Sequence, residues 1–119
     1  MDKNFDVKLV RDNYINSLFD FYGCLLTTKQ ADYISQYYAD DLSLGEISEN
    51  FNVSRQAVYD NIKRTEKTLE TYEAKMGLYE KFIKRNKVVD KLDSLIKEKH
   101  PNDLALNNLI DQLEKIEEE

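Results

Sequence analysis

One proline and three glycines in 119 residues leave this chain short of the turn-formers that a many-stranded fold requires, so the first expectation is an all-α protein. A single cysteine, Cys24, can make no internal disulfide. The one histidine, His100, has no cysteine near it, which leaves no material for a zinc cluster or a Ser-His-Asp arrangement. The glycines stand far apart, at 23, 45 and 77, and form no phosphate-cradling loop. No apolar run reaches the length of a signal peptide or a membrane span. The expectation is a cytoplasmic protein without membrane insertion, catalytic residues, cofactor or metal. The length suits one domain, or a compact domain with a helical extension.

Charge is unevenly spread. The net charge of -6 excludes indiscriminate coating of nucleic acid or acidic lipid, which depends on neutralising phosphates. Residues 1–50 carry 4 basic and 9 acidic side chains, residues 51–99 carry 12 and 8, and residues 100–119 carry 1 and 6. A basic middle thus lies between acidic ends.

What is present in abundance is helical periodicity. From Asp6 onward, Val7, Val10, Tyr14, Leu18, Phe21, Tyr22 and Leu25 recur three and four apart, which predicts a first helix to about Cys24. Thr27 and Gln30 form a capping box that opens a second helix, with Ala31, Ile34, Tyr37 and Tyr38 on its apolar side and Asp40-Asp41 at its end. Ser43 and Glu46 form another box, opening a short helix that buries Leu44, Ile47 and Phe51. Asn50-Phe51-Asn52-Val53 breaks that period, and Ser54 is the N-cap of the longest periodic run, Val58, Ile62, Thr65, Leu69, Tyr72 and Met76. Lys75 and Gly77 make a helix stop, with a continuous helix through Gly77 as the alternative. Leu78, Phe82, Val89, Leu92 and Ile96 mark a fifth helix. Beyond Pro101, Asn102 or Asp103 caps a sixth carrying Leu106, Leu109, Ile110, Leu113 and Ile116. The expected organisation is a helix-turn-helix domain over 1–76, its motif at about 42–69, and a helical extension over 77–119 that packs on the first part or in a dimer interface.

Helix, short turn, helix is the arrangement in which one face of the second helix is buried and the other is left to enter a groove. Turned away from the buried stripe are Arg55, Gln56, Tyr59, Asp60 and Lys63, with Arg64 and Lys67 beside them. Arg55 and Gln56 carry planar donors suited to guanine and adenine edges, and Tyr59 can stack or meet a thymine methyl. Lys63, Arg64 and Lys67 suit phosphates. The candidate nucleic-acid-binding set is therefore Ser54, Arg55, Gln56, Tyr59, Lys63, Arg64 and Lys67, with RNA and DNA both open as targets.

Residues 25–69 resemble region four of bacterial sigma factors, with Ser54 at the cap, Val58, Ile62 and Leu69 at core positions and Arg64 at a basic one. They depart from it in charge, through Asp60, Glu66 and Glu70. The segments Leu18-Phe19-Asp20-Phe21-Tyr22, LLTTKQADYI, YYADDLSLGEI, VSRQAVYDNIKRTE and LYEKF together resemble the YlxM family, small helix-turn-helix proteins encoded beside components of the signal recognition particle. That resemblance implies a sigma region-four-like domain of three to four helices with a C-terminal helical extension. It implies a non-enzymatic regulator in the particle's pathway, with the particle's RNA or DNA as target and the particle's GTPase subunit as a further partner. Two other readings stay open: a scaffold that binds the GTPase without reading nucleic acid, and a dimeric transcription regulator.

Most of the eight tyrosines fall on apolar stripes; Tyr59, Tyr33 and Tyr79 are the candidates for a partner surface. Cys24, among Phe21, Tyr22, Leu25 and Leu26, reads as a small buried apolar residue, and His100 as a C-terminal cap. The last two helices carry more apolar positions than a short domain covers, so a homodimer is expected.

Overall fold

A computed structural model describes residues 3–118. They form helices α1 (Lys3–Tyr22), α2 (Thr28–Tyr38), α3 (Leu44–Phe51), α4 (Arg55–Met76), α5 (Leu78–Lys99) and α6 (Leu104–Glu118), with a 3-10 turn at Gly23–Leu25 and no strand among the described residues. Local chemistry sets the boundaries. Both capping boxes are closed: Thr27 Oγ1 accepts from Gln30 N at 3.2 Å while Gln30 Oε1 accepts from Thr27 N at 3.1 Å, and Ser43 and Glu46 exchange the same bonds at 3.1 and 3.2 Å. Asp103, not Asn102, caps α6 by accepting from Leu106 N at 3.1 Å. Gly77 ends α4 in the left-handed region at φ 63°, its N–H donating to Glu73 O at 2.8 Å, and α5 starts at the next residue. The helix stops there and does not bend through.

The described chain divides into two compact units, 1–79 and 80–119. In the first, α4 packs against α1, α2 and α3. Ile15, Leu18, Tyr22, Ile34 and Leu69 form one core cluster; Tyr33, Ile47, Val58 and Ile62 form another, and Tyr38 packs against both. The end of this unit is pinned by one buried hydroxyl. Tyr22 Oη donates to Glu73 Oε1 at 2.6 Å and accepts from Leu78 N at 3.0 Å, and the same carboxylate accepts from Tyr79 N at 3.0 Å. Two amide groups that the first turn of α5 leaves without helical partners are satisfied in this way. The second unit is a hairpin of α5 and α6 around Val89, Ile96 and Ile110, with Leu106 and Leu113 packed beside them.

Several sequence expectations need correction. The first helix ends at Tyr22, before Cys24, because the chain tightens into the 3-10 turn. Val7 and Val10 lie 69% exposed, since only the second half of α1 packs on its neighbours; Ile15, which the periodic stripe omitted, is fully buried. Cys24 points outward from the turn and is exposed, not buried. Tyr33 is not available to a partner: it is buried, edge-on to Phe51 with ring centroids 4.6 Å apart. Tyr79 is half-buried against Tyr14 and Phe21 at 5.7 and 6.3 Å. Met76, Leu78, Leu92, Leu109 and Ile116 remain exposed.

Candidate nucleic-acid interface

The turn between α3 and α4 is Asn52-Val53-Ser54. Asn52 takes the left-handed conformation at φ 54° and ψ 48°, which asparagine tolerates better than most residues, and its N–H closes the end of α3 on the carbonyls of Ser48 and Glu49. Ser54 then opens α4, its Oγ accepting from Ala57 N at 3.0 Å. Val58, Ile62, Thr65 and Leu69 are buried at helical spacing, so the opposite side of α4 must face solvent.

Ser54, Arg55, Gln56, Tyr59, Lys63, Arg64 and Lys67 are all exposed. They are not all equally unencumbered. The Arg55 guanidinium lies across Gly45 of α3, its Nη2 3.1 Å from where a β-carbon would stand. Gln56 Nε2 donates to Asp60 Oδ1 at 2.9 Å, so the acid on this face is engaged one turn away. Lys63 Nζ sits 5.5 Å from the Tyr59 ring centroid and 3.4 Å from Glu66 Oε2. Asp60, Lys63, Arg64 and Lys67 line a shallow recess on the helix, and among the described residues neither Arg64 nor Lys67 forms an ion pair.

Two other acidic residues of α4, Glu66 and Glu70, are held by cations. Glu66 is only 4% exposed; it accepts from Tyr38 Oη and lies 3.4 Å from Lys63 and 3.7 Å from Arg11 of α1. Glu70 is bound by the same Arg11 guanidinium at 2.6 Å. Two of the three carboxylates by which the segment departs from the sigma pattern are therefore paired, Glu70 with Arg11 and Glu66 with Arg11 and Lys63, and the third, Asp60, is tied to Gln56. Arg11 belongs to no motif in the sequence, and the motif that includes Tyr38 carries no sign of its bond to Glu66. The position of Glu66 was legible, since it lies four residues after Ile62 and three before Leu69, on the buried stripe.

Burial, reinforced by the hydrogen bond to Glu66, pushes the Tyr38 phenol far above its ordinary value. Burial and the bond to Glu73 raise Tyr22 in the same way, and burial with Glu70 nearby raises Tyr14. Each phenol keeps its proton in the folded chain at a pH where the unfolded chain has lost it. Their stabilisation is thus complete below about pH 10, the unfolded value, and is lost as pH rises toward the folded ones. The melting temperature followed by circular dichroism should fall steeply above about pH 10, and Tyr38→Phe should flatten that fall. A melting temperature indifferent to pH between about 9 and 11 would contradict the buried phenol bonds.

No helix of the described residues is long and apolar enough to cross a membrane, and no cluster of His, Cys, Asp and Glu among them is placed to hold a metal ion. The chain matches the UPF0122 family of helix-turn-helix proteins, YlxM/p13-like, over residues 9–115. It is 59% identical to a UPF0122 protein of Limosilactobacillus reuteri over 111 residues, 92% of this chain and 98% of that one. A UPF0122 protein of Lactiplantibacillus plantarum is 58% identical over 109 residues, covering 91% and 95% of the two chains. One of Anoxybacillus flavithermus is 54% identical over 109 residues, covering 92% and 99%.

Proposed function

Since the chain belongs to the YlxM/p13-like UPF0122 family of helix-turn-helix proteins, we propose that it is a non-enzymatic, nucleic-acid-binding regulator. In this reading it acts as a cytoplasmic homodimer in the signal recognition particle pathway, on the particle's RNA or on DNA. The carrying observation is the pairing of charge on α4: Arg64 and Lys67 face solvent with no ion pair among the described residues, while Arg11 of α1 holds Glu70 and shares Glu66 with Lys63. A chain of net charge -6 binds a polyanion only where its cations are segregated in this manner. Lys63, Arg64 and Lys67 hold phosphates, and Tyr59 with Gln56 meets bases or sugar edges. Arg55 reaches a base after leaving Gly45, and Ser54 fixes the helix start that aims them. The particle's GTPase subunit is a second partner in this reading.

The test is a fluorescence-anisotropy titration of the particle's RNA and of duplex DNA at several salt concentrations. Three phosphate contacts correspond to a slope of log K against log salt of roughly -2 to -3. Absence of binding to both polymers, or binding indifferent to salt, would overturn the proposal. The polymer bound more tightly at equal salt is the target class.

A further inference from the structure

The hairpin of α5 and α6 has two dissimilar sides. One groove is lined by Asp90, Glu114 and Glu117 among others, and is charged. The other has a floor of Ile96, Leu106 and Ile110 and ridges of Leu92, Leu95 and Leu109, with a volume of about 410 Å³, and is apolar almost throughout. Each helix carries more than one apolar stripe. On α5, Phe82, Val89 and Ile96 recur seven apart and face inward, while Val88 and Leu95 recur seven apart and remain exposed. On α6, Ile110 is buried while Leu109 and Ile116, seven apart, are exposed. A helix with so wide an apolar face needs two neighbours, and a hairpin supplies one.

We propose that a second copy of this chain covers the apolar groove, so that two α5–α6 hairpins form a two-fold-symmetric four-helix bundle. The inference rests on the homodimer reading above and assigns its surface. The groove is self-complementary, as a two-fold interface requires: leucine ridges border an apolar furrow of matching chemistry. An antiparallel arrangement keeps the Lys99 and His100 ends of the two grooves apart. The area is adequate. Leu92, Leu95 and Leu109 on the groove, with Val88 and Ile116 continuing their stripes beyond it, are 45–65% exposed. At on the order of 100 Å² per large apolar side chain, two copies bury about 600 Å² of apolar surface. With the usual polar share this makes an interface of about 1,000 Å², near the lower bound of specific contacts and in the class of weak, reversible dimers.

Sedimentation velocity on the full chain over a concentration series tests this. The expected result is a dimer that Leu109→Glu and Leu95→Glu each convert to monomer with at least a tenfold weaker association and unchanged helical circular dichroism. Leu104→Glu, exposed but outside the groove, should leave it intact. A wild-type chain that stays monomeric at about 100 µM overturns the dimer and its surface together. A dimer that survives both groove substitutions, or that Leu104→Glu disrupts equally, overturns the surface and leaves the dimer. Neither outcome depends on nucleic-acid binding, which the anisotropy titration reads separately.

Discussion

Arg64→Glu combined with Lys67→Glu should reduce nucleic-acid affinity at 0.1 M salt by about 100-fold or more, and should lower the steepness of its salt dependence by about 1.8. Each phosphate contact releases close to one condensed counterion, which at that salt is a factor of about ten in affinity, and reversal of sign adds repulsion to the loss. The two positions isolate binding from folding. Both side chains are exposed, neither holds an ion pair among the described residues, and both lie on the side of α4 opposite Ile62 and Leu69. The melting temperature of the double variant should match the wild type. Lys63→Glu would be a poorer choice, because it sets a new carboxylate beside buried Glu66 and confounds stability with affinity. If the double variant binds as tightly as the wild type, with the same salt slope, then this face of α4 touches no phosphate.

Leu69→Ala should destabilise the first unit by about 2–5 kcal/mol, the range for truncating a fully buried leucine in a core that relaxes only partly. For a unit of this size a loss of 1 kcal/mol lowers the melting temperature by about 4–8 °C, so a fall of at least about 8 °C is expected in a thermal scan. The effect is large because of where Leu69 stands. It joins Ile15 and Leu18 of α1, Tyr22, and Ile34 of α2 in one cluster, so three helices lose contact at once. Leu109→Ala in the second unit, at an exposed position, is the matched control and should cost well under 1 kcal/mol in the monomer. A Leu69→Ala variant that melts with the wild type would mean that α1 does not pack on α4.

The helix-turn-helix was readable because its signals are local. A hydroxyl before each apolar run, a glutamate or glutamine three residues on, an asparagine at the left-handed position and a glycine at the end each act within one turn of helix. The outward placement of the seven candidate contact residues followed from the stripe opposite them. What stayed hidden depends on contacts between residues far apart in the chain. The apolar pattern on α1 runs through Val7 and Val10, but periodicity cannot say where a helix outruns its neighbours, and Ile15 carries the core instead. The burial of Tyr33 is hidden from the sequence because its aromatic partner, Phe51, comes from another helix. The charge departure at Glu66 and Glu70 is adverse to polyanion binding in the sequence alone, whereas in the fold Arg11, more than fifty residues earlier, lies against both.

That guanidinium also bears on how small a working version of this protein can be. A peptide trimmed to start at Thr27 keeps both capping boxes, the turn and every candidate contact side chain, yet it sheds the only cation among the described residues that reaches Glu70. Its α4 would carry a bare carboxylate at Glu70 alongside the same lysines, with Glu66 left to Lys63 and Tyr38. Weak binding by such a minimal motif would measure the missing first helix, and say little about the intact chain.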